Sequence, residues 1–207
     1  MRQIQLIGNG LLDLKIGDKN GLSGRLSQFV DALIKWNKTY NLTAIRGSDQ
    51  IVSHHILDSL SVFPYIKGSS IIDFGSGAGF PGIPLALIFP EKNFTLLDSN
   101  GKKTRFLQQM KIELGLKNCS VIQSRVEDHD GLYDQVCCRA FSSVTNICVS
   151  AQHLLKEDGE ILALKGKLDT ENIEDMPPEF ELLATHKLVV PTITAERHLL
   201  VLKKQSL

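Results

Sequence analysis

Apolar side chains recur at helical spacing through the first 65 or so residues. Within 22–40 they follow the spacing i, i+4, i+7, i+8 and i+11, which forms one wide stripe of an amphipathic helix. Residues 49–63 carry a similar stripe, and Pro64 should end that helix or lie in its last turn. The pattern therefore predicts an N-terminal helical segment over 1–67.

From residue 71 the pattern changes to short apolar or β-branched runs that alternate with helical stretches. The runs predict strands at 71–74, 94–98, 119–123, 134–138 and 160–165, with helices at about 82–89, 101–114 and 143–156. Such alternation is typical of βαβ units in a parallel sheet. Two later runs, 180–190 and 197–203, have no helix between them and predict an antiparallel pair. The expected fold is α/β, with the sheet domain over 68–207 and a loop at 175–181.

Length and composition fit one globular domain with a helical extension. The chain has 207 residues, of which 43% are hydrophobic and 22% charged, so it can bury a core. Since no apolar run is long enough for a membrane helix and the N-terminus lacks a secretory signal, we expect a cytoplasmic protein with no membrane partner. The four cysteines lack metal-ligand spacing, which predicts no metal site. The adjacent Cys137 and Cys138 are expected to be two buried, small apolar residues.

The segment DFGSGAGFPG, residues 73–82, carries two overlapping glycine motifs. G-x-G-x-x-G is typical of dinucleotide phosphate binding, whereas D-x-G-x-G-x-G suggests a nucleoside with a charged amino-acid tail. Pro81 and Pro84 lack backbone N–H groups, and Asp73 places a carboxylate where a pyrophosphate would lie. These features favour a cationic ligand such as S-adenosylmethionine. The alternative is that Asp73 only caps the N–H groups of the turn.

Acidic and apolar residues follow the next two predicted strands. Asp98 ends the second strand, where a carboxylate can accept hydrogen bonds from ribose hydroxyls. That role fits NAD and S-adenosylmethionine alike, and as an alternative Asp98 could begin the helix 101–114. The third strand ends near SRVED, so Val126 and Glu127 are expected to flank an adenine ring.

Several longer segments resemble the RsmG family of bacterial 16S ribosomal RNA guanine-N7 methyltransferases, also called glucose-inhibited division protein B. The segments are KWNKTYNLTAIR (35–46), HILDSL (55–60), DFGSGAGFPGIPLA (73–86), LLDSNGKKTRFL (96–107), SRVE (124–127), CRAF (138–141), LALKG (162–166) and ERHLLVLK (196–203). The resemblance covers about 30–204, and WNKTYNLT and LKG are far more specific to the family than the glycine loop. The first 20 residues match it poorly.

The resemblance implies a class I methyltransferase fold of seven strands, the last of them antiparallel. It also implies S-adenosylmethionine as cofactor and N7 of one guanosine in the 530 loop of 16S ribosomal RNA as target. By motif, Gly75 and Phe80 of the glycine loop and Arg139 of CRAF should contact the cofactor, with Val126 and Glu127 beside the adenine. With the residues argued above, the expected cofactor site is Asp73, Gly75, Gly77, Gly79, Phe80, Asp98, Val126, Glu127 and Arg139.

The implied chemistry needs no catalytic acid or base. Guanine N7 already carries an in-plane lone pair, so positioning can supply most of the catalysis, up to about 7–11 kcal/mol in favourable cases. The substrate-side candidates are Lys165, Arg197, Asn41 and His55, with Arg139 a further candidate for guanine O6 or phosphate. The alternatives are a satisfied packing histidine at His55 and a surface salt bridge at Arg197.

The expected partner is 16S ribosomal RNA or the small ribosomal subunit, bound by a monomer. Although the net charge is zero, residues 92–111 carry five basic side chains against Asp98, which favours contact with an RNA backbone. Other functions remain open at this point, namely a small-molecule methyltransferase, a non-catalytic RNA-binding module and an NAD oxidoreductase. Pro81 and Asp73 disfavour the last of these.

Overall fold

A computed structural model describes residues 1–139, 142–168 and 173–205, and these form a seven-stranded sheet with helices packed against it. The strands are β1 Ser70–Phe74, β2 Asn93–Asp98, β3 Cys119–Gln123, β4 Tyr133–Arg139, β5 Leu155–Lys165, β6 Phe180–Lys187 and β7 His198–Lys204. Their order across the sheet is β3-β2-β1-β4-β5-β7-β6. β7 pairs antiparallel with β5 and β6, and the pairs from β3 to β5 are parallel. The predicted α/β fold with an antiparallel last strand is confirmed.

The helices confirm the prediction of a helical N-terminus and extend it to the start of the chain. They are α1 Arg2–Asp13, α2 Leu22–Tyr40, α3 Ser48–Ile51, α4 Asp58–Leu60, α5 Gly82–Ile88, α6 Gly101–Glu113 and α7 Val144–Ala151. No helix in the described ranges combines the length and apolar character that crossing a membrane requires.

The helix predicted over 49–63 is present over most of that range, but its interior is not α-helical. Between α3 and α4, the chain forms a π-helix over Val52–Leu57, and the N–H of Asp58 donates to the carbonyl of Ser53, five residues earlier. An apolar spacing of four residues fits an α-turn and a π-turn alike. The hydrophobic pattern therefore found the helix but not its wider turn.

Two boundaries in the second half of the chain also differ from the prediction. α7 ends at Ala151 and β5 begins at Leu155, so the predicted helix 143–156 is too long. The first half of β5 was missed because its sequence, LKEDG, is polar. Within this half only Leu155 pairs with β4, because the register between the two strands is irregular there. β6 begins at Phe180, inside the predicted loop 175–181, and ends three residues before the predicted 190.

One hydrophobic core joins the N-terminal helices to the sheet. The predicted stripe of α2 is buried, and Phe29 at its centre lies 5.2 Å from the ring of Phe80 and 6.1 Å from that of Phe106. Burying each such side chain contributes about 1.5–3 kcal/mol. The same cluster includes Ile7 of α1 and Leu96 of β2. A division into domains at residue 67 stays a prediction, since apolar residues on both sides of it share this core.

A second core cluster covers the opposite face of the sheet and explains the apolar strand sequences. Ile72 and Phe74 of β1 pack there with Ile147 of α7, whereas Ile71 of the same strand belongs to the first cluster. Strands buried on both faces carry continuous apolar runs, which is why β1 was visible in the sequence. The four cysteines are free and buried, which confirms the burial predicted for Cys137 and Cys138.

A single carboxylate fixes the linker between the helical segment and β1. One oxygen of Asp134 accepts hydrogen bonds from the N–H and hydroxyl groups of Ser69 and Ser70, at 2.8 to 3.0 Å. The Nζ of Lys156 lies 2.7 Å from the other oxygen. The hydrogen bond from Lys156, supported by those from the two serines, holds the pKa of Asp134 well below its usual range.

We expect Asp134→Asn to lower the free energy of unfolding by about 1–3 kcal/mol at pH 7, because it removes a charge-assisted contact and leaves donors unpaired. A depressed pKa adds stability above the unfolded-state value near 3.9 and loses it as the pH falls toward the folded-state value. The deficit, measured by urea unfolding, should therefore shrink below about pH 4. Asp158→Asn is the control, because its carboxylate is 88% exposed and should matter little. Equal stability of the two variants would contradict the assignment.

Candidate active site

The carboxyl ends of β1, β2 and β3 open into a cavity of about 390 Å³. Parallel α/β sheets bind ligands at this edge. Among the predicted cofactor residues, those that line the cavity are Gly75, Asp98, Val126, Glu127 and Arg139. The cavity also takes in Lys103 and Arg125, which the sequence analysis had not assigned to it. The remaining four predicted residues do not line it: Asp73 lies in β1, and Gly77, Gly79 and Phe80 lie in the turn that follows.

The turn after β1 depends on its glycines. Gly75, Gly77 and Gly79 have φ angles of 68°, 59° and 93°, values that side-chain-bearing residues rarely adopt. This conformation directs the N–H of Gly77 to the Oδ2 atom of Asp98, at 2.9 Å. This hydrogen bond connects the glycine turn to the end of β2. It therefore joins the two parts of the predicted nucleoside site, the glycine turn and Asp98.

Asp98 lies at the end of β2, where it was expected. Its Oδ1 atom accepts from the N–H of Asn100 at 2.8 Å, and the Nζ of Lys103 lies 3.6 Å from its Oδ2 atom. The alternative that Asp98 caps the following helix is wrong, because Asn100 is the cap and its side chain accepts from the N–H of Lys102. A role for Asp98 in binding ribose stays a prediction.

Asp73 caps the glycine turn from below. It is 1% exposed, and its Oδ2 atom accepts from the N–H of Gly82 at 2.9 Å. A β-carbon at Gly82 would overlap Leu96 and this carboxylate, so only glycine allows the close approach. The alternative that Asp73 caps an N–H group of the turn is therefore correct for its Oδ2 atom.

The other carboxylate oxygen of Asp73 is unsatisfied. Its Oδ1 atom is buried and has no hydrogen-bond partner among the described residues. Burial raises the pKa of Asp73 to about 7, although the hydrogen bond from the N–H of Gly82 lowers it. A buried, unpaired acceptor of this kind fits a cationic ligand group, or a proton in its place.

A second group of side chains meets beside the cavity, around Asp58 of α4. Its Oδ2 atom lies 3.0 Å from Nη1 of Arg139, and its Oδ1 atom lies 2.8 Å from Nε of Arg197. Arg197 thus forms a salt bridge, as the alternative expected, but its partner carboxylate is 8% exposed and its own side chain 24% exposed, so the pair is largely buried. The sequence analysis missed Asp58. The available signals were an acidic residue within the apolar stripe of 49–63 and its place in the family-like segment HILDSL.

His55 connects this group to the glycine turn. Its ring stacks on Phe80 with centroids 4.6 Å apart, and its two nitrogens lie 2.8 Å from the hydroxyl of Thr43 and 3.0 Å from Nη2 of Arg139. Because a guanidinium can only donate, Nδ1 accepts from Arg139 and Nε2 donates to Thr43. Burial, and secondarily the charge of Arg139, lowers the pKa of His55 to about 3. His55 is therefore a neutral, hydrogen-bonded packing residue, the alternative that the sequence left open.

The last two substrate-side candidates are less close to the cavity. Lys165 ends β5, is 8% exposed, and donates to the carbonyl of Ser142 at 2.7 Å. Asn41 is an exposed residue with φ 49° that ends α2. Asn37, which was not singled out, shapes the loop to His55 through paired hydrogen bonds with the backbone of Thr43. Residues 140 and 141 of the CRAF segment lie outside the described residues.

Comparisons with known proteins agree with this architecture. The family model GidB, rRNA small subunit methyltransferase G, matches residues 23–200. Ribosomal RNA small subunit methyltransferase G of Marinomonas sp. (strain MWYL1) is 50% identical over 182 residues, 87% of this chain and 88% of that protein. The protein of the same name from Alteromonas mediterranea is 44% identical over 207 residues, 99% of this chain and 97% of its own. The crystal structure of M. jannaschii TYW2 in complex with AdoMet has a TM-score of 0.56 at 15% identity, covering 72% of this chain and 76% of that chain, and shows a shared fold.

We expect Asp73→Asn to change how stability depends on pH. With a folded-state pKa of about 7 and an unfolded value near 3.9, wild-type Asp73 holds more protons when folded between about pH 4 and 7. Its contribution to stability therefore falls as the pH rises through that window. The asparagine cannot ionise, so a slope of up to about 1.4 kcal/mol per pH unit should disappear from the unfolding free energy.

The measurement is denaturant unfolding of wild type and Asp73→Asn at pH 5, 6 and 7. Asp158→Asn, an exposed carboxylate, is the matched control and should keep the wild-type slope. Parallel stability curves for wild type and Asp73→Asn would show that Asp73 stays ionised when folded.

Proposed function

The chain belongs to the GidB family of rRNA small subunit methyltransferases G, and we propose on this premise that it transfers a methyl group from S-adenosylmethionine to N7 of a guanosine in the 530 loop of 16S ribosomal RNA. Family membership makes the protein a methyltransferase of ribosomal RNA, which argues against an NAD oxidoreductase and a non-catalytic binding module. That the methylated base is a guanine, that its N7 atom is the acceptor and that it lies in the 530 loop are what we propose beyond family membership. The observation that carries it is the cavity beside Asp98, whose 390 Å³ is of the size that small-molecule ligands occupy.

The residues around the cavity fit S-adenosylmethionine. Asp98 would accept from the ribose hydroxyls, while Val126 and Glu127 offer an apolar and a polar neighbour to adenine. The unpaired Oδ1 atom of Asp73 suits the ammonium of the methionine tail. A pyrophosphate is disfavoured, because the N–H of Gly82 that begins α5 already donates to Asp73.

The bound cofactor supplies an electrophilic methyl group on a sulfonium. Guanine N7 brings its own lone pair, so no side chain has to remove a proton, and His55 with a pKa of about 3 is not suited to do so. The contribution of the protein is to bind and orient two ligands, which can supply much of the rate enhancement. Arg139, which lines the cavity, and Arg197, which shares its carboxylate partner, are the best-placed residues for RNA oxygens.

The target is tested through the chemistry of its product. N7-methylguanosine carries a fixed positive charge, and after reduction its RNA chain is cleaved by aniline. We expect 16S RNA from cells that lack this protein to lose one cleavage in the 530 loop. Purified protein with S-adenosylmethionine should restore it on RNA or small subunits from those cells. A cleavage pattern that is the same with and without the protein would reject this target.

The cofactor site is tested with Asp98→Asn. Loss of the negative charge should weaken binding of S-adenosylhomocysteine at least tenfold, about 1.4 kcal/mol, in calorimetry. Asp128→Asn is the control, because Asp128 is an exposed acidic residue next to the same cavity but does not line it. Melting curves of both variants separate lost binding from lost folding. Wild-type affinity in a folded Asp98→Asn variant would remove Asp98 from the cofactor site.

A further inference from the structure

We propose that Asp58 is a positioning residue for methyl transfer, which holds Arg139 and Arg197 side by side so that their remaining donors face the RNA substrate. This inference rests on the proposed function. Asp58 belongs to the N-terminal helical segment, Arg139 ends β4, and Arg197 precedes β7. Three distant parts of the chain thus meet at one carboxylate.

The geometry leaves each oxygen of Asp58 with its own guanidinium. The distances are 3.0 Å to Nη1 of Arg139 and 2.8 Å to Nε of Arg197. The carboxylate is 8% exposed, whereas the arginine side chains are 16% and 24% exposed. Asp58 is therefore covered by the two cations, and both of these still reach the surface.

Arg139 is held from several directions. Beyond Asp58, its Nη1 atom donates to the carbonyl of His54 at 3.1 Å and its Nη2 atom to Nδ1 of His55 at 3.0 Å. The guanidinium carbon lies 5.1 Å from the centre of the Phe80 ring. A free arginine side chain loses rotamer entropy when it is ordered, and these contacts already order Arg139 without a ligand. Since Arg139 also lines the cavity, Asp58 orients a residue of the cofactor site directly.

Arg197 is oriented by fewer contacts, so its position depends more on Asp58. Its Nη1 atom donates to the carbonyl of Glu196 at 2.9 Å, a neighbour in sequence. The same connection between β6 and β7 has one further tie to the helical segment, from the hydroxyl of Thr192 to that of Ser53 at 2.8 Å. Removing the Asp58 carboxylate should free the Arg197 side chain while leaving the loop attached.

The charge balance points to an anionic or carbonyl-bearing ligand. Two guanidiniums share one carboxylate, and His55 beside them is neutral, so the cluster keeps one net positive charge. Buried ion pairs contribute little net stability in many proteins, so stability alone does not account for a second arginine. Phosphate oxygens and guanine O6 are good acceptors for such donors. The cluster is therefore suited to RNA, at the edge of the cavity that holds the methyl donor.

The test is a double-mutant cycle in kcat and KM for methylation of 16S RNA, with Asp58→Asn, Arg197→Gln and the two combined. Each single variant should lower kcat/KM at least tenfold per folded molecule. The double variant should be little worse than Asp58→Asn alone, because that change already releases Arg197. Asp49→Asn is the matched control, since Asp49 lies in the same segment and forms an exposed pair with Arg2. It should keep wild-type kinetics.

A structural role would have different results. If Asp58→Asn keeps wild-type kcat/KM per folded molecule, or if the effects of the two substitutions simply add, the inference is overturned. If Asp58→Asn does not fold, Asp58→Glu keeps the charge but shifts it by one methylene, and wild-type kinetics in that variant would also overturn it. Wild-type protein that methylates no RNA would instead reject the proposed function, and the inference with it.

Discussion

The hydrogen bond from Gly82 to Asp73 is the contact on which the site depends. It closes the glycine turn over a carboxylate that is 1% exposed, and it starts α5 directly behind that turn. Within this turn, the N–H of Gly77 donates a hydrogen bond to Asp98. The ring of Phe80 packs against the rings of His55 and Phe29. The cofactor cavity and the N-terminal helices are therefore organised by the same few residues.

The N-terminal segment is part of the site as well as part of the core. α2 packs through Phe29 against Phe80 and Phe106, and the π-helix that follows supplies His55 and leads into Asp58. π-turns in helices occur frequently at functional sites, because the wider turn redirects side chains and carbonyl groups. Here the carbonyl of His54 accepts from Arg139, a residue of the sheet. A helical extension that only covered the sheet would not need this contact.

The sequence predicted what local pattern determines and missed what contacts between distant residues determine. β1 was visible because both of its faces are buried, and the turn after it because three glycines with positive φ leave a recognisable spacing. The first half of β5 was missed because its polar sequence gives no strand signal. Asp58 was missed for a different reason: its two partners lie 81 and 139 residues away, and no local pattern reports such a meeting.

Two buried carboxylates with opposite charge imbalances match the two ligands that we propose for the site. Asp73 has one oxygen without a donor among the described residues, and burial raises its pKa to about 7. Asp58 has a guanidinium on each oxygen, one cation more than its charge requires. A buried carboxylate that lacks a partner favours a cation, and a surplus of guanidinium donors favours an anion or a carbonyl. S-adenosylmethionine, with its ammonium, matches the first, and RNA, with its phosphates and guanine O6, matches the second. Arg139 binds Asp58 and contacts Phe80, which belongs to the glycine turn after Asp73, so the proposed methyl donor and acceptor would be bound by adjoining residues.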